Sequence, residues 1–351
     1  MSKIGIGVLS YAHGHVGTYS QEILGFEDAE VLRIWDDNTG RGQGAVEKFG
    51  GVFTPHVEDV LGDPAVKLVF IASETNKHAD LTVAAADAGK DIILQKPMAL
   101  SLPDCDRIID AVDRNGVFFS LAFQMRYDPA NIRMKQLVDE GYVGKVGILR
   151  RRHCLSLLFN EAFCSGPSKW HIDPVANMGM WMDDASHASD FIFWMLGEPV
   201  SVVAEIDNIL TTCAPDDTGM AIYRFKGGEM AMLFNSSVVH AGENTTEIYG
   251  DRGVVIQNYG DAPSCAVPPP PGAIAVKYFD SLDREKGWQD QGLSIPSSQG
   301  ERIQAVARNI LDAYKAGTPT VTAREGKIST GMILGAYESA REGKRIALPM
   351  G

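Results

Sequence analysis

A chain of 351 residues exceeds what one hydrophobic core usually holds, so two domains are expected. Its 45% hydrophobic and 22% charged content excludes both the apolar-poor mix of a disordered chain and the composition of a membrane protein. A formal net charge of -13 opposes attraction to nucleic acid and anionic lipid, and the run Arg150 to Arg152 is too short to reverse it.

The first third alternates short apolar runs with amphipathic stretches, the pattern of βα units on a parallel sheet. Strands are predicted at Ile4 to Leu9, Ala29 to Trp35, Leu68 to Ala72, Asp91 to Leu94 and Val117 to Ala122. They are rich in Val, Ile, Leu and Phe, as strands covered on both faces are. Helices are predicted between them at Val16 to Leu24, Gly42 to Phe49, His78 to Ala88 and Leu102 to Asn115. Ser101 is placed as an N-cap, and Gly89 and Gly116 as C-terminal stops.

After Ala122 the texture changes. A helix from Pro129 to Glu140 leads to strand-like segments at Val146 to His153, Val200 to Leu210, Met220 to Phe225, Glu229 to Val239 and Thr245 to Tyr249. Lys226-Gly-Gly and Asp251-Arg-Gly punctuate the last three as turns of an antiparallel sheet. The run Pro268 to Pro271 fits neither a ladder nor a helix interior, so Asp261 to Ala273 is predicted as a surface loop. Helices at Gln299 to Lys315 and Ser329 to Glu342 close the chain. The expectation is an α/β nucleotide-binding domain over 1–122, doubly wound on a parallel sheet, and an α+β domain over 123–351.

Cys105, Cys154, Cys164, Cys213 and Cys265 are odd in number and lack CxxC spacing, which points to free thiols in a reducing cytoplasm. The N-terminus runs straight into a strand pattern without a secretion signal. Apolar runs such as Val117 to Phe123 and Phe191 to Leu196 fall short of the roughly 20 residues that span a bilayer.

The chemistry is carried by four segments. Ser10-Tyr-Ala-His-Gly-His15 follows the first strand and precedes a helix, where a Rossmann fold puts its phosphate turn. Of the usual glycines only Gly14 is present, with Ser10, Ala12 and His15 in place of the others. An ordinary βα turn is the other reading, and His13-x-His15 has the spacing of a metal pair but no carboxylate or Cys partner nearby. Asp36 and Asp37 end the second strand about 20 residues on, where a carboxylate accepts from an adenosine ribose diol and repels a 2′-phosphate. Alone, such an aspartate is as readily a helix cap. Arg41 lies close enough to meet a phosphate, but its Gly-rich surroundings suggest a solvent-exposed turn. Gln95-Lys96-Pro97 puts Lys96 at the carboxyl edge of the parallel sheet, where an ammonium stabilises a developing alkoxide; by itself it is also surface ion-pair material. Asp183 and His187 stand at i and i+4, as a dyad or as a core histidine beside a capping aspartate, with Asp190 one turn further supporting the helix from behind.

Together these residues resemble the glucose–fructose oxidoreductase, inositol dehydrogenase and rhizopine-catabolism oxidoreductases. Gln95-Lys-Pro97 is similar to that family's Glu-Lys-Pro. Gln124-Met-Arg-Tyr-Asp-Pro129 through Gly141-Tyr-Val-Gly-Lys-Val146 is similar to the segment opening its second domain. Trp170-His-Ile-Asp-Pro174, Asn177-Met-Gly179, Asp183-Asp-Ala-Ser-His187, Asp190 and Leu196-Gly-Glu-Pro199 resemble its central motif. Gly317-Thr-Pro-Thr-Val321 and Ala336-Tyr-Glu-Ser-Ala-Arg-Glu-Gly343 resemble its closing segment.

The resemblance implies a Rossmann domain followed by an α+β domain whose large open, mostly antiparallel sheet builds homodimers or homotetramers, with catalysis in the intervening cleft. It implies NAD as cofactor, no metal, and a small carbohydrate or cyclitol substrate whose secondary hydroxyl is oxidised to a ketone. Lys96, Asp183 and His187 correspond to the catalytic trio, with Arg126 and Trp170 assigned beside them to the substrate. Ser10, Ala12, His13, Gly14, His15, Asp36 and Asp37 fall to the adenosine and phosphates of NAD, and Ser73, Asn76, His78, Gln95 and Lys96 to the nicotinamide side. The other readings are a redox-assisted NAD-dependent glycosidase and a non-catalytic dinucleotide-binding regulator. The turn without its glycines and Gln95 in place of Glu bear on cofactor geometry. The short Asn177-Met178-Gly179 run implies a reshaped pocket with Met178 and Met180 near it.

Overall fold

The first strand, β1 (Ile4–Leu9), shows why its glycines are there: a Cβ on Gly5 would lie 2.2 Å from the Ala65 carbonyl oxygen, and one on Gly7 2.6 Å from Val60 Cγ1. Backbones approach so closely only where no side chain intervenes. The computed structural model describes residues 3–241, 245–259 and 267–350, with the backbone alone for residue 305. Two units emerge: Met1–Phe123 with Val175–Asn177 and Ile303–Thr330, and Gln124–Pro174 with Met178–Arg302 and Gly331–Gly351.

In the first unit β1 pairs in parallel with β2 (Ala29–Trp35) on one side and β4 (Val66–Ile71) on the other. With β3 (Val52–Thr54), β5 (Asp91–Leu94) and β6 (Phe119–Leu121), all parallel, the order is β3-β2-β1-β4-β5-β6. That is the doubly wound Rossmann order, and it reverses between β1 and β4, so ligands bind beyond the carboxyl ends of these strands. The bounds of β1, β2 and β5 coincide with the predicted ones. The helices are α1 (His15–Ile23), α2 (Thr39–Phe49), α3 (Val57–Leu61), α4 (His78–Asp87) and α5 (Leu102–Asn115). Ser101 caps α5 by accepting the Asp104 N–H at 3.2 Å, and Gly116 ends it in the left-handed region at φ 61°. Strand β3 and helix α3 have no counterpart in the sequence expectation, since three strand residues are too few to show a period. The core under α4 and α5 is built from β1, β4 and β5 residues such as Leu9, Val69, Ile71, Ile92 and Leu94, and includes Val321 and Ala323 from the late segment of this unit.

The second unit contains α6 (Pro129–Asp139), β7 (Val146–Cys154), α7 (Glu161–Ser165), α8 (Met180–Asp183) and α9 (Ala185–Leu196). There follow β8 (Pro199–Asp207), β9 (Thr218–Phe225), β10 (Met230–Ser236), β11 (Thr245–Gly250), β12 (Gly253–Asn258), β13 (Val276–Asp280), β14 (Gln289–Asp290) and, near the end, β15 (Ile346–Ala347). Their nine-stranded sheet runs β14-β13-β12-β11-β7-β10-β9-β8-β15 and is antiparallel except for the β7–β10 pair. Helix α10 (Gln299–Lys315) has its predicted bounds, and α11 (Ala323–Glu342) begins six residues before its predicted start at Ser329. Strands β12 and β13 were not anticipated, and of the predicted Asp261–Ala273 loop, residues 261–266 lie outside the described residues, as does Cys265.

Period-two patterning sets the sheet's two faces. Leu149, Arg151 and His153 of β7, Ala231 and Leu233 of β10, and Ala221 and Tyr223 of β9 are buried. On the opposite face Ile148, Met220, Ile222, Met230 and Met232 are exposed, and the register sets Met230 across from Ile148 and Met232 across from Ile222. The arginine run is absorbed by the sheet: Arg150 pairs with Glu247 on β11, and Arg151 lies 4.6 Å from the Phe191 ring centroid, its guanidinium pushed down to about 10 by burial. Among the described residues no helix is long and apolar enough to cross a membrane, and no group of three or more His, Cys, Asp and Glu could hold a metal ion.

Candidate active site

At Ser10 the turn between β1 and α1 achieves without glycine what a glycine usually allows. Ser10 takes the left-handed conformation at φ 75°, and its Oγ accepts the Ala12 N–H at 3.1 Å while its own N–H donates to the Trp35 carbonyl at 2.7 Å. Those bonds offset the cost that a β-carbon incurs there. The His13 N–H donates to the Ala72 carbonyl, just past β4, at 2.9 Å, and its Nδ1 accepts the His15 N–H at 3.3 Å at the start of α1. The two imidazoles meet edge to face with centroids 4.4 Å apart. A Cβ on Gly14 would meet nothing within 4 Å, so open space lies at the helix N-terminus.

Asp36, 2% exposed, accepts the Tyr11 N–H at 2.8 Å and the Asn38 N–H at 2.9 Å. Arg41 Nε bridges both of its oxygens at 3.0 and 2.8 Å. This corrects the expectation of a solvent-exposed Arg41: the residue lies in the first turn of α2, partly buried, and also bonds Ser10 Oγ, Asp37 and Glu74. Burial alone would lower the guanidinium's pKa, but the hydrogen bond and charge of Asp36, with Glu74 and Asp37, hold it above its ordinary value. Lys77 joins Asp37 to Glu74, so two cations and three carboxylates share this corner.

Beyond β4 and β5 the loops are tied together. His78 is fully buried, its Nδ1 2.9 Å from the Pro97 carbonyl and its Nε2 3.2 Å from the Ser73 carbonyl, and burial pushes its pKa down to about 4. It therefore braces the Ser73 loop against the Lys96–Pro97 turn. The Gln95 N–H continues the ladder to Ile71 at 2.9 Å, so Lys96, 3% exposed, emerges directly at the sheet's carboxyl edge. Gln95 Oε1 is a buried acceptor with no partner among the described residues. Ser73 is buried and Asn76 exposed, the Asn76 N–H donating to Ala176, while Thr75 Oγ1 bonds Asn177 Oδ1 at 2.6 Å.

In the second unit Asp183 ends α8 and His187 lies in the first turn of α9; Asp184 between them is helical at φ −88°, ψ −42°, and its carbonyl accepts the His187 N–H at 3.2 Å. Asp183 Oδ1 lies 3.0 Å from Nδ1 of His171, a histidine that the sequence reading left without a role. His171 in turn stacks on Trp170, with centroids 3.7 Å apart. The His187 ring faces His153 of β7 at 6.0 Å. The Asp190 carboxylate, fully buried, is held by Arg126 Nε and Nη2 at 2.9 and 2.7 Å. Met178 adopts φ 66°, and a Cβ on Gly179 would sit 2.2 Å from Asp216 Oδ2, so this position does require glycine.

Residues 3–123 match the model of the oxidoreductase family with an NAD-binding Rossmann fold, and residues 132–256 match the GFO/IDH/MocA C-terminal domain. The chain belongs to the GFO/IDH/MocA oxidoreductase family. It is an NAD-binding oxidoreductase with dehydrogenases among its relatives. Myo-inositol 2-dehydrogenase of Thermotoga maritima is 25% identical over 98% of this chain and 98% of its own. The scyllo-inositol 2-dehydrogenase (NADP(+)) of Bacillus subtilis is 24% identical over 99% and 97%. Among solved structures, levoglucosan dehydrogenase in complex with NADH and levoglucosan shares the fold, with a TM-score of 0.83 at 20% identity over 99% of this chain and 100% of that one.

The first unit of this GFO/IDH/MocA protein fits the dinucleotide its family implies. The unpartnered Gln95 acceptor and the open space at Gly14 are features a ligand with amide donors and phosphates would complete.

Proposed function

We propose that this family member oxidises a secondary hydroxyl of an inositol or sugar to the ketone, reversibly, with NAD as its preferred cofactor, in the cytoplasm. The observation that carries this is Lys96, a buried ammonium at the carboxyl edge of a Rossmann sheet. Bound NAD supplies the ring that accepts the hydride. Lys96 stabilises the alkoxide that forms as the carbinol proton leaves, and His187 takes that proton, held in orientation by Asp183. Arg126, through Asp190, positions α9, and Trp170 lies against the substrate. The Ser10–His15 turn holds the pyrophosphate, Asp36 and Asp37 the ribose, and Ser73, Asn76 and Gln95 the nicotinamide side, with His13 and His78 as positioning residues. A spectrophotometric screen of NAD reduction against inositols, aldoses, anhydrosugars and glycosides tests the reading. Turnover of a polyol with ketone formation supports it; no turnover on any of them would refute it.

The corner at Asp36 makes a prediction about cofactor choice. A carboxylate at the ribose repels a 2′-phosphate, but Arg41 offsets part of that charge. NAD is expected to exceed NADP in kcat/KM; Asp36→Ala narrows the ratio by roughly 10–100-fold, the worth of hydrogen bonds to a charged group, and Arg41→Ala widens it. Equal use of both cofactors by the unaltered enzyme would overturn the assignment.

The exposed apolar face of the nine-stranded sheet is proposed to seat a second copy of the chain. Contiguous apolar side chains such as Ile148, Ile222, Met230 and Met232 rarely face water in a monomer. Light scattering is expected to give a dimer or tetramer, and Ile222→Lys with Met232→Lys a monomer. A monomeric unaltered protein at micromolar concentration would end this proposal.

A further inference from the structure

Outside the site just described, one pair of nucleophiles stands out. Cys164 Sγ and Cys213 Sγ lie 3.3 Å apart, although 49 residues separate them in the chain. Each is delivered by a segment fixed independently of the other. Cys164 sits near the end of α7, whose start is capped by Asn160 Oδ1 accepting the Ala162 N–H at 3.0 Å, and whose end is held by Ser165 Oγ donating to the Glu161 carbonyl at 2.8 Å. Cys213 lies on the loop between β8 and β9, where the Asp217 carboxylate accepts the N–H groups of Ile209, Leu210 and Thr211 at 2.9, 2.9 and 2.8 Å. Asn208 Nδ2 closes the same loop onto the Ala214 and Pro215 carbonyls at 3.0 and 3.2 Å. A disulfide bond of about 2.05 Å therefore requires the sulfurs to approach by about 1.2 Å, within the reach of small side-chain rotations.

We propose that Cys164 and Cys213 form a disulfide modification site, oxidised to an intramolecular cross-link by low-molecular-weight disulfides. The two thiols divide the work by exposure. Cys213 is exposed and meets the oxidant first: its thiolate attacks one sulfur of the small disulfide, forming a mixed disulfide and releasing one small thiol. Cys164 is half-buried; its thiol, pushed up to about 11 by burial and then by Cys213, loses its proton to solvent and attacks Cys213 Sγ, releasing the second small thiol. Two protein thiols lose two electrons, and one small disulfide gains them. Cys105 and Cys154 are buried, Cys105 with its thiol pushed up to about 12 by burial, and take no part.

The test is incubation of the full chain with oxidised glutathione at pH 8, followed by alkylation of remaining thiols and peptide mapping by mass spectrometry. The expected result is one peptide pair joining Cys164 to Cys213, lighter by two hydrogens, restored by dithiothreitol and absent in Cys164→Ser and in Cys213→Ser. Cys164→Ser is expected to trap the intermediate as a stable glutathione adduct on Cys213. A glutathione adduct that persists on Cys213 of the unaltered protein without the cross-link would overturn the proposal, as would a cross-link from Cys213 to Cys265.

Discussion

Replacing Lys96 by methionine is expected to lower kcat by roughly 10²–10⁴ while leaving the affinity for NAD within a few-fold, the range for loss of a positioned proton-transfer or alkoxide-stabilising group. The asymmetry follows from where the ammonium sits. Lys96 is buried at the end of β5, and the Gln95 N–H anchors the strand one residue earlier to Ile71 at 2.9 Å. Its charge is thus held at the sheet's carboxyl edge, where the reacting oxygen is proposed to lie, and away from Asp36, just beyond β2, and Arg41 in the first turn of α2. Methionine keeps the length and bulk of the side chain and removes only the charge, so the fold should tolerate it; a thermal midpoint close to that of the unaltered protein checks this. Dissociation constants for NAD from fluorescence titration, set beside steady-state kcat on the best polyol of the screen, separate the two effects. Near-normal kcat would make Lys96 a structural residue and move the proposed chemistry elsewhere.

Most of the Rossmann unit was legible because its signals are local. The apolar runs that became β1, β2 and β5 are bounded by polar turns, and α5 carries its own cap in Ser101 and its own stop in Gly116. The parallel order follows from the βα alternation. What the sequence concealed depends on contacts between distant residues. Arg41 reads as a turn arginine until Glu74, 33 residues on, and Asp36 are seen to enclose it. Strand β3 is three residues long and exists because β2 offers it an edge. The packing of Val321 and Ala323 against the first sheet's core leaves no trace in the periodicity of the late helices. Of the proposed site, Lys96 and the Asp183–His187 pair rest on motif and period. His171 lies within the motif Trp170-His-Ile-Asp-Pro174, but no local pattern gives it a role. The missing signal was spatial, since Asp183 lies 12 residues away. Likewise, nothing in the spacing of Cys164 and Cys213 announces that α7 and the β8–β9 loop converge.

The Asp183 cluster yields the other large effect. His187→Asn is expected to lower kcat by roughly 10²–10⁴, because the proposed base is gone, and adding Asp183→Asn to it should cost little more. A carboxylate whose task is to orient an imidazole has nothing left to orient once that imidazole is removed, so the two losses overlap instead of multiplying. The geometry adds a third member. Asp183 Oδ1 is 3.0 Å from His171 Nδ1, so His171 restrains the carboxylate from one side, and Trp170 stacked on His171 restrains that ring in turn. His171→Gln should therefore act through Asp183: a smaller fall in kcat than His187→Asn causes, with KM changed little, and no further fall when Asp183→Asn is already present. A purely structural role for His171 would instead lower the thermal midpoint and add its own penalty in the Asp183→Asn background. The decisive measurement is the double-mutant cycle of Asp183→Asn and His187→Asn on log kcat. Fully additive losses there would mean that carboxylate and imidazole serve separate functions, and the orienting role of Asp183 would have to be abandoned.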